Sequence, residues 1–121
     1  LINVIGHSGT NQFQYDYETV IPEFGRQGKL VELNEGTFKV RKSSISNCKE
    51  IMTLCKKHCV PIIVDSDCHF STGVGCFENS LALLQEIDFP EELVVNSSVA
   101  RFQAYLKEHS LVVNDPSVKL Q

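Results

Sequence analysis

Four apolar, β-type runs punctuate the chain and end near Gly6, Asn34, Asp65 and Asn96. They recur every 28 to 31 residues, the length of a strand-plus-helix unit. The stretches between them carry apolar residues at helical spacing. From Asp16 to Gln27, Tyr17, Val20, Ile21 and Phe24 predict a helix that Gly28 stops. Pro22 has no N–H to give, so this helix either starts nearer Thr19, with Pro22 in its first turn, or is kinked. A second helix is predicted from about Ser44 to His58, with Ile45, Cys48, Ile51, Met52 and Cys55 on one face and Lys49, Lys56 and Lys57 on the other. A third, Glu78 to Ile87, is expected to bury Leu81, Leu84 and Ile87. The fourth, Ser98 to His109, takes Ser97 or Ser98 as N-cap and turns Val99, Phe102, Tyr105 and Leu106 inward. Leu111 to Gln121 has no strong period.

Strands rich in Val, Ile and Leu that alternate with amphipathic helices imply an α/β fold with parallel strands and helices outside the sheet. In such folds binding groups collect beyond the C-terminal ends of the strands. His7, Asn34, Asp67 and His69 all fall there. With 121 residues the chain holds one domain, able to bury a workable core but too short for a complete barrel of about 250 residues. Leu1 opens directly on an apolar run. We therefore expect residues 1–121 to be the C-terminal part of a longer domain whose N-terminal half lies outside this sequence.

Charge narrows the choice of partner. A net charge of -4 and a pI near 5.5 argue against general nucleic-acid or anionic-membrane binding, which needs a basic face. Any phosphate recognition must be local. The longest apolar runs, such as Val60 to Val64, fall far short of the roughly 20 residues that span a bilayer. Five cysteines without a CxxC pair speak against both a disulfide framework and a structural zinc cluster, and predict a cytoplasmic protein. Cys48, Cys55 and Cys59 are spaced seven and four apart, one stripe of a helix where a thiol acts as a small buried apolar group.

The chemistry-bearing residues are few. His7 follows a strand and is flanked by Gly6 and Ser8-Gly9, which lets the backbone turn sharply and face the imidazole into a cavity; alone, it reads more readily as a capped or surface histidine. Asp67 and His69 are two apart, so in an extended segment both aim at one pocket, and carboxylate with imidazole suits zinc, manganese or iron. Asp65 is expected to point the other way and to hold a neighbouring group or take backbone donors. Arg41 and Lys42 precede a helix start at Ser43-Ser44, a setting for a phosphate or for a solvated basic turn. Glu32 and Glu35 bracket the end of the second strand and stay unassigned. His58 and His109 lie near helix C-termini, as dipole partners or surface residues.

The ordered set IGHSG, LVELNEGTF, VRKSSISNC, VDSDCHF and DFPEELVVN resembles the C-terminal half of the PHP superfamily, named for polymerase and histidinol phosphatases, and within it the stand-alone phosphatase-type members. The resemblance implies a distorted seven-stranded (β/α) barrel, of which this chain carries the last three to four βα units. It also implies a cleft of up to three divalent ions, zinc above manganese or iron, that hydrolyses small-molecule phosphoesters. His7 then ligates one ion, Asp67 a second and His69 the third, while Arg41, and after it Lys42, orients the phosphate. The remaining ligands of the family, a His-x-His pair, three further histidines and a bridging glutamate, belong to the N-terminal half and are absent from this sequence. The chain alone is thus expected to be inactive. Because ligating imidazoles must be neutral, metal affinity is expected to fall below about pH 6.5. A half-barrel exposes sheet edges and an apolar inner face, so the N-terminal half or a second copy of the chain should cover it. Three alternatives stand beside this reading: a catalytically inactive PHP-like regulatory or interaction domain, a different metal hydrolase on the same barrel plan, and a plain α/β binding module.

Overall fold

A computed structural model describes residues 2–109 of the chain; the weakly periodic stretch Leu111 to Gln121 lies outside the described residues. The elements in order are β1 (Val4–Ile5), α1 (Tyr17–Arg26), β2 (Leu30–Asn34), α2 (Gly36–Val40), α3 (Ile45–Lys57), β3 (Ile62–Asp65), α4 (Glu78–Glu86) and α5 (Val99–Glu108). The three strands form one parallel sheet in the order β1-β2-β3. The mixed α/β class and the parallel pairing are those the periodicity implies. Three strands do not by themselves define a barrel.

The fourth apolar run is not a full strand. It gives one parallel bridge between Val94 and Ile62, after which Asn96 replaces backbone with side chain. Its Oδ1 accepts from the Val64 N–H at 3.1 Å and its Nδ2 donates to the Val64 carbonyl at 2.6 Å. An amide side chain has the donor and acceptor of a peptide group, so the edge of β3 is satisfied and the ladder stops.

Successive residues of a strand face opposite ways, and both faces of this sheet are used. Val31, Leu33, Ile62 and Val64 pack beneath Ile21 of α1, Ile51, Met52 and Cys55 of α3, and Leu83 and Leu84 of α4, the main core. On the other face Leu30 meets Val95 and Tyr105, flanked by Ile63, Phe102 and Leu106. The Tyr105 hydroxyl donates to the Gly28 carbonyl at 2.8 Å, so α5 lies against the N-terminal end of β2. Towards the C-terminal end this face turns polar with Glu32, Asn34 and Asp65. None of the described helices is long and apolar enough to cross a membrane.

Several local expectations need correction. Asp16 caps α1, accepting from the Thr19 N–H at 3.3 Å and its hydroxyl at 2.7 Å. The cap fixes the start at Tyr17, so Pro22 sits in the second turn. The partner it fails to supply is the carbonyl of exposed Glu18, which water can satisfy. In α4 the buried residues are Ser80, Leu83 and Leu84, while Leu81 is 52% exposed; at about 100° per residue it lies a quarter-turn off the stripe that Ser80 anchors. Val99 is 75% exposed because it lies about 120° round α5 from buried Tyr105. Cys48 and Cys55 are buried as expected, but Cys59 is exposed, having passed the helix end into a left-handed turn with φ 53°.

Glu35, unassigned from the sequence, ties the layers together. It is fully buried at 0% exposure. Its carboxylate accepts from the Asn79 N–H and Nδ2 at 3.3 and 2.7 Å and from the Ser80 N–H and Oγ at 2.8 and 2.7 Å. A residue at the end of β2 therefore caps the N-terminus of α4, where free N–H groups and the helix dipole favour a negative charge. Burial pushes the carboxyl up, but the bonds from Asn79 and Ser80 outweigh it and hold it below its usual range. A depressed folded pKa contributes stability that is present above the unfolded value near 4.3 and is lost as pH falls through the folded pKa. Glu35→Ala is expected to cost about 2–4 kcal/mol at pH 7, with a smaller difference from wild type at pH 3, read from urea unfolding at the two values. An equal cost at both would exclude the charged cap.

Candidate active site at the C-terminal end of the sheet

β1 ends at Ile5, and the chain turns through His7 in the left-handed region, φ 53°. The turn is fastened at several points. The Thr10 N–H donates to the His7 carbonyl at 3.2 Å, Asn47 Nδ2 of α3 donates to the Gly9 carbonyl at 2.9 Å, and the Ser8 and Tyr15 hydroxyls share a hydrogen bond. The His7 N–H itself donates to the Glu32 carboxylate. Gly9 has φ +89°, and a Cβ there would lie 3.0 Å from Ile51 Cδ1, so only glycine lets the turn approach α3 this closely.

So held, the imidazole faces Asp67: His7 Nε2 lies 4.0 Å from Asp67 Oδ2. The same oxygen accepts from Asn34 Nδ2 at 3.1 Å and from Arg41 Nη2 at 3.5 Å. Arg41 also donates to Asn34 Oδ1 at 3.0 Å, and Asn34 Nδ2 reaches Glu32 Oε1 at 3.4 Å. Asn34, 2% exposed, is thus the hub of the site. Its hydrogen bond, then that of Arg41 and the charge of the nearby His7 and Arg41, hold the Asp67 carboxyl below its usual range. Gly36 makes this arrangement possible. A Cβ there would stand 2.9 Å from Asn34 Oδ1, 3.3 Å from Asp67 Oδ2 and 3.4 Å from Arg41 Nη2.

Asp65 does not point away from this group. It pairs in register with Asn34 and shares its face, since paired parallel residues point the same way. Burial first, then the hydrogen bond and charge of Glu32, push its carboxyl up to about 7. Its Oδ1 is buried without a hydrogen-bond partner.

His69 is exposed and lines a cleft of about 280 Å³ with Asp67 and Arg41. Asp67 adopts φ 44°, so the segment is not extended and the two-apart rule does not carry Asp67 and His69 onto one point. Among the described residues no three His, Cys, Asp or Glu side chains converge on a single ion. The two cations are also separated. Arg41 is half-buried against Asp67, whereas exposed Lys42 opens the 3-10 turn Lys42–Ser44 outside the cleft. Lys39 of α2 lines the cleft instead. Sequence reasoning left Glu32 unassigned and passed over Gly36, Lys39 and Phe70. The polar parity of Glu32 and Asn34 between apolar Val31 and Leu33 was the signal that could have placed Glu32.

A larger groove of about 650 Å³, lined by Val64, Phe77, Leu84, Phe89 and Val94, opens beside α4 and contains none of these groups. For a divalent ion, the donor chemistry at the sheet end fits: imidazole beside carboxylates suits zinc, manganese or iron, and the orphaned Asp65 Oδ1 is a buried acceptor still lacking a donor or cation.

No family model matches the chain. It is 44% identical over 106 residues to a probable phosphatase of Acetivibrio thermocellus, a match covering 88% of this chain and 44% of that protein. A probable phosphatase of Caldicellulosiruptor saccharolyticus is 39% identical over 105 residues, 87% of this chain and 44% of its own length. A probable phosphatase of Clostridium botulinum is 39% identical over 106 residues, with 88% and 44% covered. The chain therefore spans less than half the length of the curated relatives it matches.

The hub is testable without any assay of activity. Asn34→Asp preserves shape but replaces the donor to Asp67 with a carboxylate facing both Asp67 and Glu32. It is expected to cost roughly 2 kcal/mol, seen as a lower urea midpoint with an unchanged slope; an unshifted midpoint would remove Asn34 from its central role.

Proposed function

We propose that this chain supplies one wall of the active site of a metal-dependent phosphoesterase, in a protein roughly twice its length that belongs with the PHP-type barrels. Two observations support this: the relatives are named probable phosphatases, and His7, Arg41 and Asp67, three of the residues carried by the family resemblance, gather where an α/β fold builds its sites. One observation carries most weight. His7 Nε2 and Arg41 Nη2, from turns after different strands, both meet Asp67 Oδ2, at 4.0 and 3.5 Å. The sequential strand order suits a barrel wall, and the exposed Ile2 and Val4, 68% and 39%, offer the β1 edge to the N-terminal half of the same barrel or to a second copy. The five free thiols favour a cytoplasmic setting.

Divalent ions held by His7, Asp67 and His69 with ligands from the other half, zinc before manganese or iron, would supply Lewis acidity towards the phosphoryl oxygens and a water acidic enough to attack near neutral pH. The chain's own residues prepare that chemistry. Asn34 and Arg41 keep Asp67 ionised and fix its oxygen. Glu32 holds the backbone of His7, so the imidazole is aimed before substrate arrives. Lys39, Arg41 and His69 line the cleft with cationic or proton-bearing groups that a phosphate dianion can meet. By itself the chain has only one wall of this site and is inactive.

In the full-length protein, His7→Ala and Asp67→Ala are each expected to lower phosphomonoester hydrolysis by at least about 100-fold and to reduce bound zinc, manganese or iron, measured by plasma mass spectrometry. Metal content and rate both at wild-type level in the two variants would sink the assignment.

A further inference from the structure

We infer that the cleft beside Asp67 selects a phosphate ester whose leaving group is a flat apolar ring, seated against Phe70. This deepens the phosphoesterase reading and rests on it.

Eight large apolar residues are exposed among the described residues, and two pairs of them bear on the site. Ile2 and Val4 lie at the β1 edge, where another strand can cover them. Phe70 and Val40, 79% and 75% exposed, come from segments after β3 and β2, beyond the C-terminal ends of the strands, and line the same cleft as Lys39, Arg41, Asp67 and His69. A cleft lined both by charged groups and by exposed apolar side chains matches a ligand that carries both. A phosphate answers the charge, and Phe70 with the branched aliphatic Val40 attracts a ring by stacking and by release of water. A sugar or polyol would need several neutral hydrogen-bonding side chains, and on this wall the described residues offer the hydroxyls of Ser66 and Thr72.

The test uses non-hydrolysable probes on the full-length protein. Binding of phenylphosphonate and methylphosphonate is measured by titration calorimetry in wild type, Phe70→Ala, Phe70→Tyr and, as a control away from the cleft, Leu81→Ala. Wild type is expected to prefer phenylphosphonate by about tenfold. Phe70→Tyr and Leu81→Ala should keep the preference, and Phe70→Ala should reduce it to about twofold or less. Equal binding of the two probes by wild type, no binding of either, or a preference that survives Phe70→Ala overturns the inference. Hydrolysis of phenyl phosphate is followed in parallel. Preference without hydrolysis would remove the phosphoesterase reading and leave the ring-selective cleft, while hydrolysis without preference would do the reverse.

Discussion

The pairing of β2 with β3 sets the position of almost everything else. Its four partners, Val31 with Ile62, Glu32 with Ile63, Leu33 with Val64 and Asn34 with Asp65, point in common directions because paired parallel residues share a face. One register therefore fills the helix-covered core with Val31, Leu33, Ile62 and Val64 and, in the same stroke, collects Glu32, Asn34 and Asp65 opposite. A slip by one residue would drive Glu32 and Asn34 among the helices, where unpaired polar groups are costly. Glu35 extends the constraint. Leaving the strand one residue after Asn34, it plugs the N-terminus of α4, so the strand that carries the site also fixes the helix beside it.

The same register produces an electrostatic division between two carboxylates only two residues apart. Asp67 is stabilised as an anion by Asn34 and Arg41. Asp65, half-buried and facing Glu32, is pushed up to about 7. The consequences for stability are opposite in sign. The depressed Asp67 contributes above its unfolded pKa and loses that contribution in acid, whereas the raised Asp65 is best tolerated protonated and becomes a cost as pH rises through about 7. A folded chain that retains such a carboxylate at the end of a strand has tension at that spot, and the orphaned Asp65 Oδ1 marks where it sits.

The alternation of apolar runs with amphipathic stretches made the α/β class and, among the described residues, the three strands and four of the five α-helices legible, since those depend on periods the sequence displays. α2 was not legible. Gly36–Val40 is a five-residue helix with no room for a period, yet it decides that Arg41 turns in and Lys42 turns out. Leu81 and Val99 misled because a hydrophobic residue near a stripe looks the same as one on it until a neighbour fixes the rotation; for α4 that neighbour is Ser80, held by Glu35 from 45 residues away. His7, Asp67 and Arg41 could be assigned to one end of the sheet from spacing. Their meeting at one carboxylate oxygen depends on left-handed turns at His7 and Asp67, which no pattern of polarity announces.

The ends of the three strands and of the fourth apolar run carry polar residues, but they are not used alike. At the Val94 end, Asn96 bends back to complete the backbone pairing of Val64 and is spent on the sheet. At β2 and β3, Asn34 and Asp67 are partly satisfied by each other and by Arg41. At β1 the imidazole of His7 is exposed beside the uncovered side chains of Ile2 and Val4. His7 thus stands at the open β1 side of the sheet. On the reading proposed above, that is the side on which the other half of the barrel brings its ligands, and the open valence of the site and the open edge of the sheet share one cause: both need the same neighbouring strand.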